Sequence, residues 1–180
     1  MRKLKNEELG RISEEEYKQS KKLNACIILD DIRSMNNVGS AFRTSDAFRV
    51  DKIYLCGITA TPPHREINKT ALGATESVDW EYEKNIADLI TRLKGEGYEI
   101  VSVEQADESV KLDRFRPEAD KKYAFVFGNE VFGVNDQVIE KSDVVLEIPQ
   151  FGTKHSLNIS VSMGIVIWDF YSKVRVSNNH

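Results

Sequence analysis

The sequence predicts an α/β domain with a mostly parallel sheet and helices on both faces. Short apolar runs, typical of strands buried on both faces, occur at residues 25–29, 52–56, 78–82, 98–103, 123–127 and 143–148. Segments with helical periodicity lie between several of these runs, and the alternation of strands with helices is typical of this class. Polar or glycine-containing loops follow the strands, which is where such folds place ligands.

Composition limits the class of protein. The 180 residues are enough for one domain, and 41% hydrophobic with 30% charged residues indicates a soluble globular chain. No apolar run reaches the roughly 18–20 residues of a membrane span, and no signal-peptide pattern opens the chain. We therefore expect no membrane partner. A net charge of −4 argues against binding nucleic acid through total charge, but it leaves room for a local basic patch.

Two cysteines, Cys26 and Cys56, lie inside predicted strands without CxxC spacing. We interpret them as buried free thiols, which together with the composition favours a reducing cytoplasm.

The N-terminal segment, residues 1–24, is polar and mixed in charge, and we predict a helical extension. Ser13 followed by Glu16 is a capping box that opens a short helix. The extension is interpreted either as a solvated appended helix or as an arm that contacts RNA. The predicted domain covers residues 25–176, and 177–180 are predicted to be a disordered tail.

A helix is predicted directly after the first strand, because one face is shared by Val38, Ala41, Phe42, Ser45 and Phe48. Asn36 or Asn37 is the predicted cap. Arg43 lies outside the apolar face, so its side chain is free to face the side of the loops.

Other connections are less periodic. We predict a Pro-, Thr- and Gly-rich loop over 57–74, a helix from Ile86 to Leu93 that ends at Gly95, a loop with one helical turn over 104–121, and a short helix over 136–140. The C-terminal segment is ambiguous: alternation over 157–163 predicts a strand, whereas the apolar length of 156–175 suits a buried helix.

Several familiar site classes are unsupported. The chain has no Walker A sequence, GxGxxG, HExxH, GxSxG or Cys/His cluster, and its three histidines are scattered. We expect no metal. What remains is three predicted strand-end loops, at 37–43, 128–133 and 148–158. Apolar strand ends and glycine suit an adenine-like ring held by the main chain, and Arg43 offers a planar fork for phosphate.

These three stretches resemble motifs 1, 2 and 3 of the SpoU (TrmH-like) family of RNA 2′-O-ribose methyltransferases. They read NVGSAFRT from Asn37, FGNEVFGV from Phe127, and IP…G…SLNIS from Ile148 to Ser160. Residues 69–78 also resemble a family stretch. The motifs occur in the family's order, and the likeness covers about residues 25–175.

The resemblance implies a SPOUT α/β-knot fold whose C-terminal segment is a helix and forms a trefoil knot. It also implies an obligate homodimer, S-adenosylmethionine as methyl donor and S-adenosylhomocysteine as product. The general rarity of knots argues against such a topology, and this family is an exception.

Residue roles carried over from the motifs fall into three groups. The catalytic candidates are Asn37, Arg43, Glu130, Ser156 and Asn158. The candidates for donor binding are Phe127, Gly128, Asn129, Ile148, Gln150, Ser156 and Leu157. The candidates for RNA binding are Arg33, Arg43, Arg65, Lys69 and Lys154.

Alternatives remain for the catalytic candidates. A guanidinium resists deprotonation, so we interpret Arg43 as orienting the RNA phosphate and the 2′-oxygen, with a surface salt bridge as the alternative. Glu130 could be purely structural, and Ser156 and Asn158 could cap a helix. Gln150 stands where many relatives have methionine.

The predicted function is RNA 2′-O-ribose methylation. The absence of a separate RNA-binding domain before the core favours tRNA as substrate. The alternatives are the same reaction on ribosomal RNA and a catalytically silent RNA-binding or scaffold protein that kept the fold. The target nucleotide does not follow from the sequence.

Overall fold

In the part of the chain that the structure describes, a sheet of seven strands, each parallel to its neighbours, forms the centre of the molecule. The computed structural model describes residues 1–177. The strands are β1 (Leu23–Asp30), β2 (Val50–Cys56), β3 (Trp80–Glu83), β4 (Tyr98–Val103), β5 (Val110–Lys111), β6 (Lys122–Phe127) and β7 (Val144–Glu147). Their spatial order is β3-β2-β1-β6-β4-β7-β5.

Helices cover both faces of this sheet, which confirms the predicted class. They are α1 (Glu14–Gln19), α2 (Met35–Phe48), α3 (Arg65–Ala71), α4 (Ala74–Ser77), α5 (Ile86–Gly95), α6 (Asp136–Lys141) and α7 (Ile159–Ser177). Side chains of β1 alternate between the faces. Ile27 and Leu29 pack with α2, α3 and α7, whereas Cys26 and Ile28 pack with α5 and α6. Cys26 and Cys56 are buried and free, as predicted.

Helix α2 buries its predicted face but starts earlier than expected. The first four residues of that face, Val38, Ala41, Phe42 and Ser45, are buried, and Phe48 is partly buried against the same core. The helix begins at Met35, and the Ser34 hydroxyl accepts a hydrogen bond from the N–H of Asn37 at 3.3 Å. The prediction that Asn36 or Asn37 caps the helix is therefore wrong, since a hydroxyl one turn earlier satisfies the free N–H group.

The prediction of a loop over 57–74 is wrong at its second half, where α3 lies. His64 Nδ1 accepts from the N–H of Glu66 at 3.2 Å and caps this helix, and Ile67 is buried. A Cβ added at Gly39 would lie 2.2 Å from the carbonyl oxygen of Ile67. The glycine therefore allows α3 to pack closely on α2. The helix begins just after Pro62 and Pro63, and the prediction extended the loop character of those residues too far along the chain.

Strand β5 was also missed, since two residues carry no readable period. The helical turn expected in the same region is confirmed as a 3₁₀ turn over Leu112–Arg114.

Helix α7 resolves the ambiguity of the C-terminal segment in favour of a helix. Met163, Val166, Ile167 and Phe170 are buried at helical spacing. The helix begins at Ile159 rather than at Ser156, and it includes Ser177, the first residue of the predicted tail. Residues 178–180 of that prediction lie outside the described residues.

The N-terminal extension contains the predicted capping box of Ser13 and Glu16. Tyr17 is buried, and its hydroxyl donates to the carbonyl oxygen of Ser45 at 3.3 Å, so α1 packs on the body. The division of the chain at residue 24 stays a prediction. Within residues 1–177, no helix has both the length and the apolar character needed to cross a membrane.

Candidate active site

A cleft of about 760 Å³ lies at the carboxyl ends of β4, β6 and β7. These three strands are neighbours in the sheet, so the loops that follow them meet at one edge. All of the residues predicted to bind the donor line it, namely Phe127, Gly128, Asn129, Ile148, Gln150, Ser156 and Leu157. Glu130 and Asn158 line it as well. The second and third predicted motifs are therefore brought together.

The loop after β6 is a compact turn that requires glycine at two positions. A Cβ on Gly128 would lie 2.3 Å from the backbone of Gly133, and Gly133 itself has a φ of +71°. The Asn129 side chain closes the turn: its Nδ2 donates to the carbonyl of Asp31 at 2.7 Å, and its Oδ1 accepts from the N–H of Val131 at 2.8 Å. Both polar atoms of the Asn129 side chain therefore form hydrogen bonds that hold the turn together and join it to Asp31.

Glu130 joins this turn to the start of α2. Its carboxylate accepts from the N–H groups of Arg33 (2.9 Å) and Ser34 (3.0 Å). The Asn37 Nδ2 donates to it at 3.1 Å. Burial by itself would raise the pKa of Glu130, but these hydrogen bonds prevail and hold its pKa below the usual value. The geometry gives Glu130 a positioning role that orients Asn37.

The loop after β7 is exposed from Phe151 to Asn158. The Asn158 Oδ1 accepts from the N–H and the hydroxyl of Ser160, at 2.8 and 2.6 Å, and so caps α7. The capping alternative therefore holds for Asn158 but not for Ser156. Within residues 1–177, the Ser156 hydroxyl has no hydrogen-bond partner, which leaves it available to a ligand at the cleft.

Arg43 lies apart from this cleft. It was expected on the side of the strand-end loops, and it lies in α2, off the apolar face of that helix. Arg43 is exposed, does not line the cleft, and forms no ion pair within the described part of the chain. The alternative role as a surface salt bridge is therefore absent from the folded chain.

The remaining candidates for RNA binding are all exposed: Arg33, Arg65, Lys69 and Lys154. Lys69 is paired with Glu66 at 2.7 Å, and an exposed pair of this kind is easily exchanged for another anion. Within the described residues, no group of three or more His, Cys, Asp or Glu side chains is placed to hold a metal.

Glu104 and Gln105 also line the cleft, and sequence reasoning missed them. Glu104 follows β4, and its Oε2 accepts from the N–H of Val134 at 3.0 Å. The Gln105 Nε2 donates to the carbonyl oxygen of His155 at 2.8 Å. Their position directly after an apolar strand was a signal that could have identified them. They were overlooked because the charged residues that follow suggested an ordinary loop.

Comparison with known proteins decides the family. The model of the SpoU rRNA Methylase family matches residues 24–168. The chain belongs to the SpoU rRNA Methylase family. This confirms the resemblance found in the three motifs.

Individual relatives agree with this assignment. A 23S rRNA (guanosine-2′-O-)-methyltransferase of Neisseria meningitidis is 33% identical over 78% of this SpoU chain and 55% of its own length. The chain spans 55–64% of the length of the curated relatives with which it shares 30–33% identity, among them this one.

Solved structures share the fold. The A. aeolicus TrmH/SpoU tRNA modifying enzyme has a TM-score of 0.81 at 23% identity and covers 92% of this chain and 84% of its own. An AdoMet-bound rRNA methyltransferase from Sinorhizobium meliloti has a TM-score of 0.78 at 24% identity, over 87% of this chain and 59% of its own.

Proposed function

We propose that this protein is an S-adenosylmethionine-dependent RNA 2′-O-ribose methyltransferase. The observation that carries the proposal is the cleft where the second and third SpoU motifs meet at the carboxyl ends of β6 and β7, the two strands on either side of β4 in the parallel sheet. The Neisseria relative is named for guanosine 2′-O methylation, and the Sinorhizobium structure is an AdoMet complex, which supports both the reaction and the donor.

The cleft has the size and lining expected for the donor. Its volume of about 760 Å³ falls in the range of about 300–1,000 Å³ of small-molecule sites. Phe127, Leu146 and Ile148 provide apolar walls, and the exposed backbone of the strand-end loops offers N–H and C=O groups for an adenine ring. When bound, S-adenosylmethionine supplies a methyl group on a positively charged sulfur.

The chain's own residues then act mainly by positioning. Ser156 presents a free hydroxyl at the cleft, and Glu130 holds Asn37 in place. Arg43 binds the RNA phosphate and orients the attacking 2′-oxygen, whose proton passes to a phosphate oxygen or to water. Alignment of this kind accounts for much of the rate in group transfer.

We favour tRNA as the substrate. The tRNA modifying enzyme from A. aeolicus is matched over 84% of its chain, whereas the two rRNA enzymes are matched over 55–59% of theirs. Arg33, Arg65, Lys69 and Lys154 supply exposed positive charge for the phosphates, so binding should weaken as salt is raised.

A homodimer with the C-terminal knot completes the proposal, together with a cytoplasmic location. Helix α7 exposes Val161, Ile165 and Trp168 at i, i+4 and i+7, and this apolar stripe is the surface on which a second copy would pack. Two copies would also bring their basic residues together, which offsets the acidic total charge.

Donor titration and an Arg43→Ala variant test the proposal. Isothermal titration should show S-adenosylmethionine binding to wild type and to Arg43→Ala with similar affinity, because Arg43 does not line the cleft. Methyl transfer to tRNA should fall by at least about 100-fold in Arg43→Ala, in keeping with the loss of a residue that aligns the reacting groups. Arg114→Ala, at another exposed arginine, is the control and should stay active.

A catalytically silent RNA-binding or scaffold protein would give a different result. A silent protein would bind RNA without binding the donor, and absence of donor binding by wild type would reject the enzyme. Full activity of Arg43→Ala would reject only the role given to Arg43.

A further inference from the structure

The loop over residues 149–157 carries Gln150, Ser156 and Leu157 of the proposed donor site, yet it is weakly attached. In the part of the chain that the structure describes, one hydrogen bond joins this loop to another element. The Gln105 Nε2 donates to the carbonyl oxygen of His155 at 2.8 Å. Both residues line the cleft, so this bond spans from the end of β4 to the third motif.

Gln105 extends from a rigid support. The N–H of Glu104 donates to the carbonyl of Leu146 in β7 at 3.1 Å. The Glu104 carboxylate accepts from the N–H groups of Gln105 (2.8 Å) and Val134 (3.0 Å). A Cβ on Gly133 would come within 2.2 Å of this carboxylate, so the glycine allows the close approach.

We propose that Gln105 is a positioning residue that holds the loop over 149–157 against the donor cleft, with Glu104 as its support. The inference rests on the proposed function and deepens it. An exposed loop without other hydrogen bonds to the body samples many conformations, and binding must then order it. The bond to His155 orders the loop beforehand, so its loss weakens donor binding without touching the transfer step.

Gln105→Glu is the sharpest variant, because it keeps the shape of the side chain while removing the N–H donor. Gln105→Ala removes the donor without adding charge. Loss of one hydrogen bond should weaken S-adenosylmethionine binding by about 2- to 12-fold. The turnover number at saturating donor should stay within about twofold of wild type. Gln137→Glu, at an exposed glutamine in α6 outside this cleft, is the matched control and should bind the donor as wild type does.

Amide hydrogen exchange of the full chain gives an independent readout. Without the donor, exchange across 149–157 should be faster in both Gln105 variants than in wild type, at an unchanged melting temperature. If both variants bind the donor like wild type, the positioning role is overturned while the proposed function stands. If wild type itself fails to bind S-adenosylmethionine, the proposed function falls, and the exchange experiment still decides whether Gln105 holds the loop.

Discussion

Two carboxylates near the carboxyl edge of the sheet show how hydrogen-bond partners determine the pKa of an acidic side chain. Glu130 receives three hydrogen bonds, and its pKa is lowered although partial loss of hydration opposes the shift. Asp30, at the end of β1, is 6% exposed, and its carboxylate accepts no hydrogen bond within residues 1–177. Burial, with a smaller contribution from Asp31, raises the pKa of Asp30 to about 6. The first carboxylate stabilises the fold when ionised, and the second destabilises it.

The raised pKa of Asp30 predicts a pH-dependent stability. Its contribution is fully present below the unfolded value of 3.8 and is lost as pH rises through about 6. Asp30→Asn stays neutral, so it should gain stability relative to wild type by about 2–3 kcal/mol between pH 3.8 and 7. Urea unfolding at several pH values measures this gain. Asp120→Asn, at an exposed position, is the control, and an equal gain there would contradict the assignment to Asp30.

At the scale of elements, those with a long and regular hydrophobic pattern were the ones that could be predicted. Strands β1, β2, β4 and β6 and helices α2 and α5 could be predicted because each buries several side chains, as an apolar run in the strands and at helical spacing in the helices. α3 could not, since its stability comes from close packing on Gly39 of α2 rather than from its own composition. β5 is two residues at the sheet edge and has no period to read.

The site residues that belong to the sequence motifs could be predicted. Those that are placed by contacts between distant parts of the chain could not. The motifs placed Gly128, Ile148 and Ser156 at the cleft, because strand ends in one sheet converge. Gln105 was missed because its hydrogen bond reaches His155, 50 residues away in the chain. That Arg43 would not line the cleft could not be predicted, because helical periodicity shows that a residue leaves the apolar face but not which neighbouring surface it meets.

The start of α7 separates a structural residue from a site residue. Asn158→Ala should lower the free energy of unfolding by about 0.5–2 kcal/mol, because Asn158 caps the helix. Ser156→Ala should leave stability unchanged and lower methyl transfer, since its hydroxyl has no partner in the described chain. Chemical denaturation and tRNA methylation measured on both variants test this. Equal destabilisation by Ser156→Ala would show that Ser156 is structural.

At the scale of the whole molecule, the exposed stripe of α7 and the position of Arg43 lead to one prediction. Ile165 lies in the middle of the stripe, between Val161 and Trp168. A carboxylate there would have to lose its hydration on assembly, which costs far more than an apolar contact supplies. Ile165→Glu should therefore sediment as a monomer at micromolar concentration, where wild type should sediment as the proposed dimer. Ile58→Glu, at an exposed isoleucine after β2, is the control and should remain dimeric.

Activity should be lost together with the dimer. Arg43 does not line the cleft of its own chain, so the proposed chemistry is served if Arg43 of one copy reaches the cleft of the other across the proposed dimer interface. Ile165→Glu should accordingly retain its fold and its affinity for S-adenosylmethionine while losing methyl transfer to tRNA. Mixing Arg43→Ala with a Ser156→Ala variant should restore part of the activity that each lacks alone, because one site in the mixed dimer then has both residues intact. An active Ile165→Glu monomer would contradict this arrangement and would require Arg43 to approach the cleft of its own chain.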